Sequence, residues 1–341
     1  MPMVRELRPK LPDLKIVSVL GGGRDPDTLS LDEMLAGRSP LPPLFPHPMD
    51  ANDVMRLAFT SGTTGDPKGV THSFSSTLSA CRLLNSAMEV TERDVFLVYL
   101  SLGLNWGYRT LLQAMMAGAR AVLVDRFNPH AALELIERER ITYIPSAPAS
   151  LIAMLDEPVL GRSDLTSLRV VNTGGASCPI DTIRTFRARI PGRLIELYGM
   201  LETGFYTFTR LSDDPEVVIG TVGRSAPGIG LRLIDAHGRD VPPGAEGEIA
   251  AAGPSVHLGY DNNPTANAEL FTADGWFRTG DLGQLDAAGN VTIVGRLKEM
   301  INRGGKKYFP HEIEELLYAH PCMRPSSACR IRASVSATAS V

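Results

Sequence analysis

The chain has 341 residues, 43% hydrophobic and 21% charged, with a net charge of −4. This leaves room for two or three domains, matches an ordinary soluble globular composition, and offers no general electrostatic attraction to nucleic acid. Neither the charged first ten residues nor the apolar run 95–107 suits a signal peptide or a membrane span, and no pair among Cys81, Cys178, Cys322 and Cys329 has zinc-ligand or redox spacing, so a reducing, cytoplasmic setting is expected.

Residues 1–50 are rich in proline and glycine. They read as a short strand at 16–20, a short capped helix at 30–35 and a proline-rich linker at 40–48. A strand at 53–59 leads into a polar loop, and a helical pattern follows over 73–84. Strands at 95–100, 121–124, 142–144, 168–171 and 194–197 then alternate with helices at 109–117, 129–140, 149–155 and 180–189. Short apolar strands alternating with helices predict an α/β fold with a doubly wound parallel sheet, whose ligands bind beyond the carboxyl ends of the strands.

After about residue 215 the pattern changes. β-prone runs at 217–219, 231–234, 247–250 and 291–294, separated by turn sequences, predict a small antiparallel, barrel-like subdomain. A hinge segment begins at Lys298, with a helix at 311–319. The expected divisions are 1–50, 51–215, 216–296, 297–321 and a tail, 322–341. The tail has no acidic residue and no periodicity, and it is expected to be disordered.

The polar loop, Thr60-Ser61-Gly62-Thr63-Thr64-Gly65-Asp66-Pro67-Lys68-Gly69, carries four hydroxyls, three glycines and a lysine in ten residues. Glycine frees the backbone, successive N–H groups can form an anion-binding nest, and Lys68 adds a point charge for phosphate. It is a loop for polyphosphate, but not a Walker A loop, because Pro67-Lys68-Gly69 stands where Gly-Lys-Ser/Thr is needed. Glu202 is a hard oxygen ligand suited to Mg2+, or a solvated carboxylate. Tyr198 could stack on a base or sit half-buried in the core. Asp281, placed in a turn after Trp276-Phe277, could accept hydrogen bonds from two ribose hydroxyls or cap that turn. Arg296 could bond a ribose or phosphate, or lie on the surface.

The order and spacing of these signals resemble the adenylate-forming superfamily. Tyr198-Gly199-x-x-Glu202, Gly275-Trp276-x-x-Thr279-Gly280-Asp281, Gly295-Arg296-x-Lys298-x-x-Ile301 and Pro310-x-Glu312-Ile313-Glu314 follow the phosphate loop. The likeness runs from about Leu14 to His320 and is nearest to acyl- and aryl-CoA ligases, as Asp125-Arg126-Phe127 and Gly259-Tyr260 also suggest. The resemblance implies ATP, Mg2+ and CoA as co-substrates and cofactor, with a small carboxylic acid as substrate. It further implies that Thr60, Ser61, Gly62, Thr63, Thr64, Gly65 and Lys68 hold the phosphates, and that Gly175, Ala176, Ser177, Tyr198, Gly199 and Met200 frame adenine. Glu202 would bind the metal, Asp281 and Arg296 the ribose, and Trp106 and Gly107 would line the acyl pocket. Lys298 would be the hinge, and Gly304 and Gly305 would lie on the CoA path. Lys68, Thr64, Glu202 and Lys298 carry the catalytic expectations.

The chain departs from the family at several points. Leu201 replaces the usual Thr or Ser before the metal-binding glutamate, and Leu104 replaces a frequent His. The family's region before Leu14 and its lid beyond the first helix, with a catalytic lysine, are expected to be missing. That predicts a chain with only the start of the α+β lid, an impaired catalyst, and an uncovered apolar surface favouring self-association. Losing one such electrostatic group typically costs about 10²–10³ in rate. A non-catalytic nucleotide- or acyl-binding module, and an enzyme loading a carrier protein, are the alternatives.

Overall fold

The computed structural model describes residues 2–12, 18–19, 28–36, 50–60, 67–303 and 306–310. The chain divides into two compact units, Met1–Met49 and Asp50–Val341. In the first, strands Ser18–Val19 and Leu29–Ser30 pair in parallel. The helix Leu31–Leu35 follows, its first turn capped by the Ser30 hydroxyl, which accepts from Glu33 N–H at 3.3 Å.

The second unit opens with an antiparallel pair, β1 (Val54–Phe59) and β2 (Gly69–Ser73). Helix α1 (Phe74–Ala87) starts directly from β2 because Ser73 and Ser76 form a reciprocal capping box. There follow β3 (Val95–Val98), α2 (Asn105–Ala117), β4 (Arg120–Leu123), α3 (Pro129–Glu139), β5 (Tyr143–Ser146), α4 (Pro148–Leu155), β6 (Val170–Gly174), α5 (Ile180–Arg189) and β7 (Arg193–Met200). Strands β3 to β7 form the parallel core of a seven-stranded sheet, and β8 (Gly204–Phe208) and β9 (Arg224–Ser225) extend it antiparallel, in the order β9-β8-β7-β6-β5-β3-β4. Strand β9 falls past the expected division at residue 215.

Side-chain alternation explains why helices cover both faces. Leu97, Ile144, Val171 and Leu194 point into one core with Leu133 of α3, Leu151 of α4 and Phe186 of α5. Their neighbours Phe96, Tyr143, Val170 and Ile195 point into the other with Leu84 of α1 and Ala114 of α2. A strand with apolar residues on both faces is stable only when both are covered, each buried large side chain contributing about 1.5–3 kcal/mol. The doubly wound expectation therefore holds.

The antiparallel region is a four-stranded sheet in the order β10 (Gly230–Ile234), β11 (Gly247–Ala252), β13 (Phe277–Leu285) and β14 (Val291–Arg296). Strand β12 (Gly259–Tyr260) joins β2, giving the three-stranded order β12-β2-β1, and helix α6 (Pro264–Leu270) follows it. A hairpin, β15 (Ile301–Arg303) with β16 (Lys306–Tyr308), comes last.

Two local expectations are corrected. Residues 217–219 are not a strand; Pro215–Val218 is a 3-10 turn, because Asp214 caps it, accepting from Glu216 N–H at 2.8 Å, and Pro215 opens it. Asp281 lies within β13, not in a turn. The expected helix at 311–319, the tail and Gly304-Gly305 lie outside the described residues, as do Ser61, Gly62, Thr63, Thr64, Gly65 and Asp66.

Candidate active site

A cleft of about 960 Å³ opens where the β1–β2 hairpin, the β7–β8 turn and the end of β14 meet. Thr60 and Lys68 stand at the loop end of the hairpin and line the cleft. Thr60 N–H donates to the Lys68 carbonyl at 3.1 Å, which pins the base of the loop between them. Lys68 Nζ sits 5.3 Å from the centre of the Tyr260 ring, a cation–π contact that leaves the ammonium available to anions.

Glu202 occupies the tight turn between β7 and β8, and three contacts hold that turn. The Tyr260 hydroxyl donates to Glu202 Oε1 at 3.0 Å, His257 N–H donates to the Glu202 carbonyl at 2.8 Å, and His72 Nε2 lies 2.6 Å from the Leu201 carbonyl. His72 is fully buried, and burial, helped by the charge of Arg109, lowers its pKa to about 3, so the ring is neutral. Because a carbonyl only accepts, Nε2 carries the proton and Nδ1 faces Ser76 Oγ at 3.1 Å. Gly199 is required where β7 and β8 cross: a Cβ there would lie 1.9 Å from the Gly204 carbonyl oxygen.

On the opposite wall Asp281 pairs across the β13–β14 ladder with Arg296. Arg296 Nε donates to Asp281 Oδ1 at 2.9 Å and the Tyr198 hydroxyl donates to Oδ2 at 2.7 Å. Asp281 is only 3% exposed. Burial raises its pKa, while Arg296 and the Tyr198 hydroxyl pull the other way. Each carboxylate oxygen keeps further lone-pair capacity for a ligand hydroxyl. Arg296 and Lys298, at the end of β14 and in the short turn after it, both line the cleft. Arg278 lines it too, but is neutralised by Glu248 at 2.6 Å.

The expected site residues are thus only partly gathered. Thr60, Lys68, Met200, Glu202, Arg296 and Lys298 share the cleft, with Asp281 and Tyr198 directly behind Arg296. Gly175, Ala176 and Ser177 lie exposed just beyond the carboxyl end of β6, beside β7. Gly175, at φ +77°, is in the left-handed region, and a Cβ on it would sit 3.8 Å from the Trp106 ring. Gly107 is packed under the chain, since a Cβ there would lie 2.3 Å from the carbonyls of Leu100 and Ser101. The cleft wall at this end is formed by Leu104, Asn105 and Tyr108 instead. His72, Arg56 and Asn105 were not singled out by sequence reasoning, and Tyr260 was named only for the family likeness, without a role in the site. A lone arginine in the apolar run 54–59 and a histidine beside the phosphate loop were the available signals.

A divalent cation fits this donor set. Among the described residues no group of three or more His, Cys, Asp or Glu side chains could hold a metal. Glu202 nonetheless presents a hard carboxylate to the cleft beside Lys68, the arrangement Mg2+ takes when phosphates supply its other ligands.

The family described as AMP-binding enzyme matches residues 1–261. The medium-chain fatty-acid–CoA ligase of Escherichia coli (strain K12) is 32% identical over 321 residues, 94% of this chain and 56% of that protein. The 2,3-dihydroxybenzoate-AMP ligase of Bacillus subtilis (strain 168) is 32% identical over 328 residues, 95% of this chain and 59% of that protein. The ATP-bound crystal structure of MatB from Rhodopseudomonas palustris superposes with a TM-score of 0.75 at 32% identity, covering 80% of this chain and 54% of that one. The chain therefore spans little more than half the length of these relatives.

Proposed function

Because the chain belongs to the AMP-binding enzyme family, we propose that its cleft activates a carboxylic acid with ATP and passes the acyl group to a thiol, CoA being the acceptor. The observation that carries this reading is the convergence of Thr60, Lys68, Glu202 and Arg296 on one cavity, with Asp281 bonded directly behind Arg296. The ligase activities in the names of the relatives support it.

In the first step an oxygen of the substrate carboxylate bonds to the α-phosphorus. The bond from that phosphorus to the bridging oxygen breaks, and pyrophosphate leaves with the electron pair. In the second, a thiolate sulfur bonds to the acyl carbon and AMP leaves. Mg2+, when bound, offsets phosphate charge. The chain's residues do the positioning: Lys68 and the loop it closes hold phosphates, Asp281 accepts from the ribose hydroxyls, and Arg296 orients Asp281 and opposes the upward push of burial on its pKa. Gly175, Ala176, Ser177, Tyr198 and Gly199 form the adenine wall, and Lys298, in the short turn after β14, is the pivot. Such catalysis is positioning and charge stabilisation rather than covalent chemistry by the protein.

The test is acid-dependent release of pyrophosphate, with acyl-AMP and acyl-CoA identified by mass. Asp281→Asn keeps the shape but removes a charged acceptor, worth about 1.5–3 kcal/mol. The expected result is a rise of about 10- to 100-fold in KM for ATP. An unchanged KM in that variant, with products still formed, contradicts the ribose assignment. Acyl-AMP without acyl-CoA contradicts the CoA assignment alone.

A further inference from the structure

The cleft contains a second polar feature that holding a nucleotide leaves unused. Two guanidinium groups converge on one amide oxygen. Arg56 Nη1 donates to Asn105 Oδ1 at 2.7 Å, and Arg109 Nε donates to the same atom at 2.9 Å. Arg109 is fully buried; its Nη1 donates to the Thr77 carbonyl at 3.0 Å, and its Nη2 has no partner. Among the described residues neither arginine is within an ion pair, whereas Arg278 and Arg296, on the same cleft, are each matched by a carboxylate. Burial lowers the pKa of both Arg56 and Arg109, so their charge is held at a cost that no carboxylate among the described residues offsets.

The geometry of Asn105 sets what this wall can bind. Both donors occupy Oδ1, so the amide orientation is fixed and Nδ2 is the amide's remaining polar atom. Its contact with the Met200 carbonyl is long, at 3.4 Å, and leaves an N–H for a ligand. The Arg56 guanidinium bonds Asn105 and packs 4.8 Å from the centre of the Tyr108 ring, which steadies it. Arg56, Asn105 and Tyr108 all line the cleft. The wall thus shows donors and uncompensated positive charge. It is also separate from the phosphate loop: Arg56 precedes Thr60 by four residues of extended strand, about 13 Å.

We propose that the acid bound in this cleft carries a second carboxylate, which docks on the Arg56 guanidinium and the Asn105 amide. This rests on the reading of the cleft as acid-activating and names its substrate class. A planar guanidinium beside an amide N–H matches the two oxygens of a carboxylate, and an entering anion supplies the charge the arginine pair lacks.

The experiment is calorimetry of the full chain with matched acids, glutarate against pentanoate and isophthalate against benzoate, each with and without Mg·ATP, and with Mg·ATP titrated alone. The expected result is tighter binding of both diacids by about 10-fold or more, lost in Arg56→Gln. Asn105→Asp places a carboxylate between the two guanidiniums. It is expected to abolish the preference while the thermal midpoint is held or raised, so a folding defect is not mistaken for the effect. Equal binding of mono- and diacids, or of neither, overturns the proposal. So does an Arg56→Gln variant that loses Mg·ATP affinity instead, which would assign Arg56 to the nucleotide phosphates. Diacid binding without Mg·ATP binding would retain the subsite and defeat the acid-activating reading.

Discussion

Glu196 shows what a single buried group can impose. It lies in β7 at 5% exposure, its Oε2 has no hydrogen-bond partner, and burial raises its pKa well above the ordinary value. Between the unfolded and the folded pKa the folded state therefore binds more proton than the unfolded chain. For a raised pKa the stabilisation is fully present below the unfolded value, near 4.3, and is lost as pH rises toward the folded value. Glu196→Gln removes the titration while keeping the shape. Denaturant unfolding at pH 5 and pH 7.5 should show the native chain losing stability relative to the variant by up to about 1.4 kcal/mol per pH unit inside that window. Parallel pH profiles would show that Glu196 is ionised in the fold. The sequence could not reveal this group, because Leu-Ile-Glu-Leu reads the same whether the acid faces water or a covered sheet face. Asp281 was legible as a candidate from its motif; its partners Tyr198 and Arg296 were named separately, and only the fold shows that Asp281 bonds both, Arg296 across the ladder and Tyr198 from β7.

The elements were mostly legible, and the misses have physical causes. Alternating apolar strands and capped helices identify themselves by period, which is why β3 to β7 and α1 to α5 fall close to where periodicity places them. Thr279-Gly280-Asp281 read as a turn because it uses turn chemistry inside a strand. Gly280 takes φ +75°, and the register of β13 shifts both against β11 and against β14, so this is bulged sheet. Strand β2 was missed because it hands over directly to α1, with no turn residues between them. That junction depends on Ser73, whose hydroxyl accepts from Ser76 N–H at 3.0 Å. Ser73→Ala should cost about 1 kcal/mol of stability, read as a lower denaturation midpoint with an unchanged slope. No loss would mean that packing against β2, not the cap, sets the helix start.

At the scale of the molecule, the doubly wound sheet and the antiparallel sheet together build a cleft from segments more than two hundred residues apart, from Arg56 to Lys298. That meeting is beyond local sequence pattern and was reached only through the likeness of motif order. The same architecture leaves β1 at the edge of its three-stranded sheet, with Leu57 at 45% and Phe59 at 64% exposure. Exposed apolar side chains on an edge strand favour pairing between copies. Light scattering should therefore show a mass that rises with concentration, and Phe59→Lys should reduce it; a monomer at all concentrations would contradict this. Among the described residues no helix is long and apolar enough to cross a membrane.

The most direct measurement is Mg·ATP binding by calorimetry on the folded chain, with Lys68→Ala and Asp281→Asn beside it. Saturable one-to-one binding, weakened in both variants while their circular dichroism is unchanged, is the predicted result. A folded chain that shows no binding, or binds equally in all three, would contradict the assignment of this cleft to ATP.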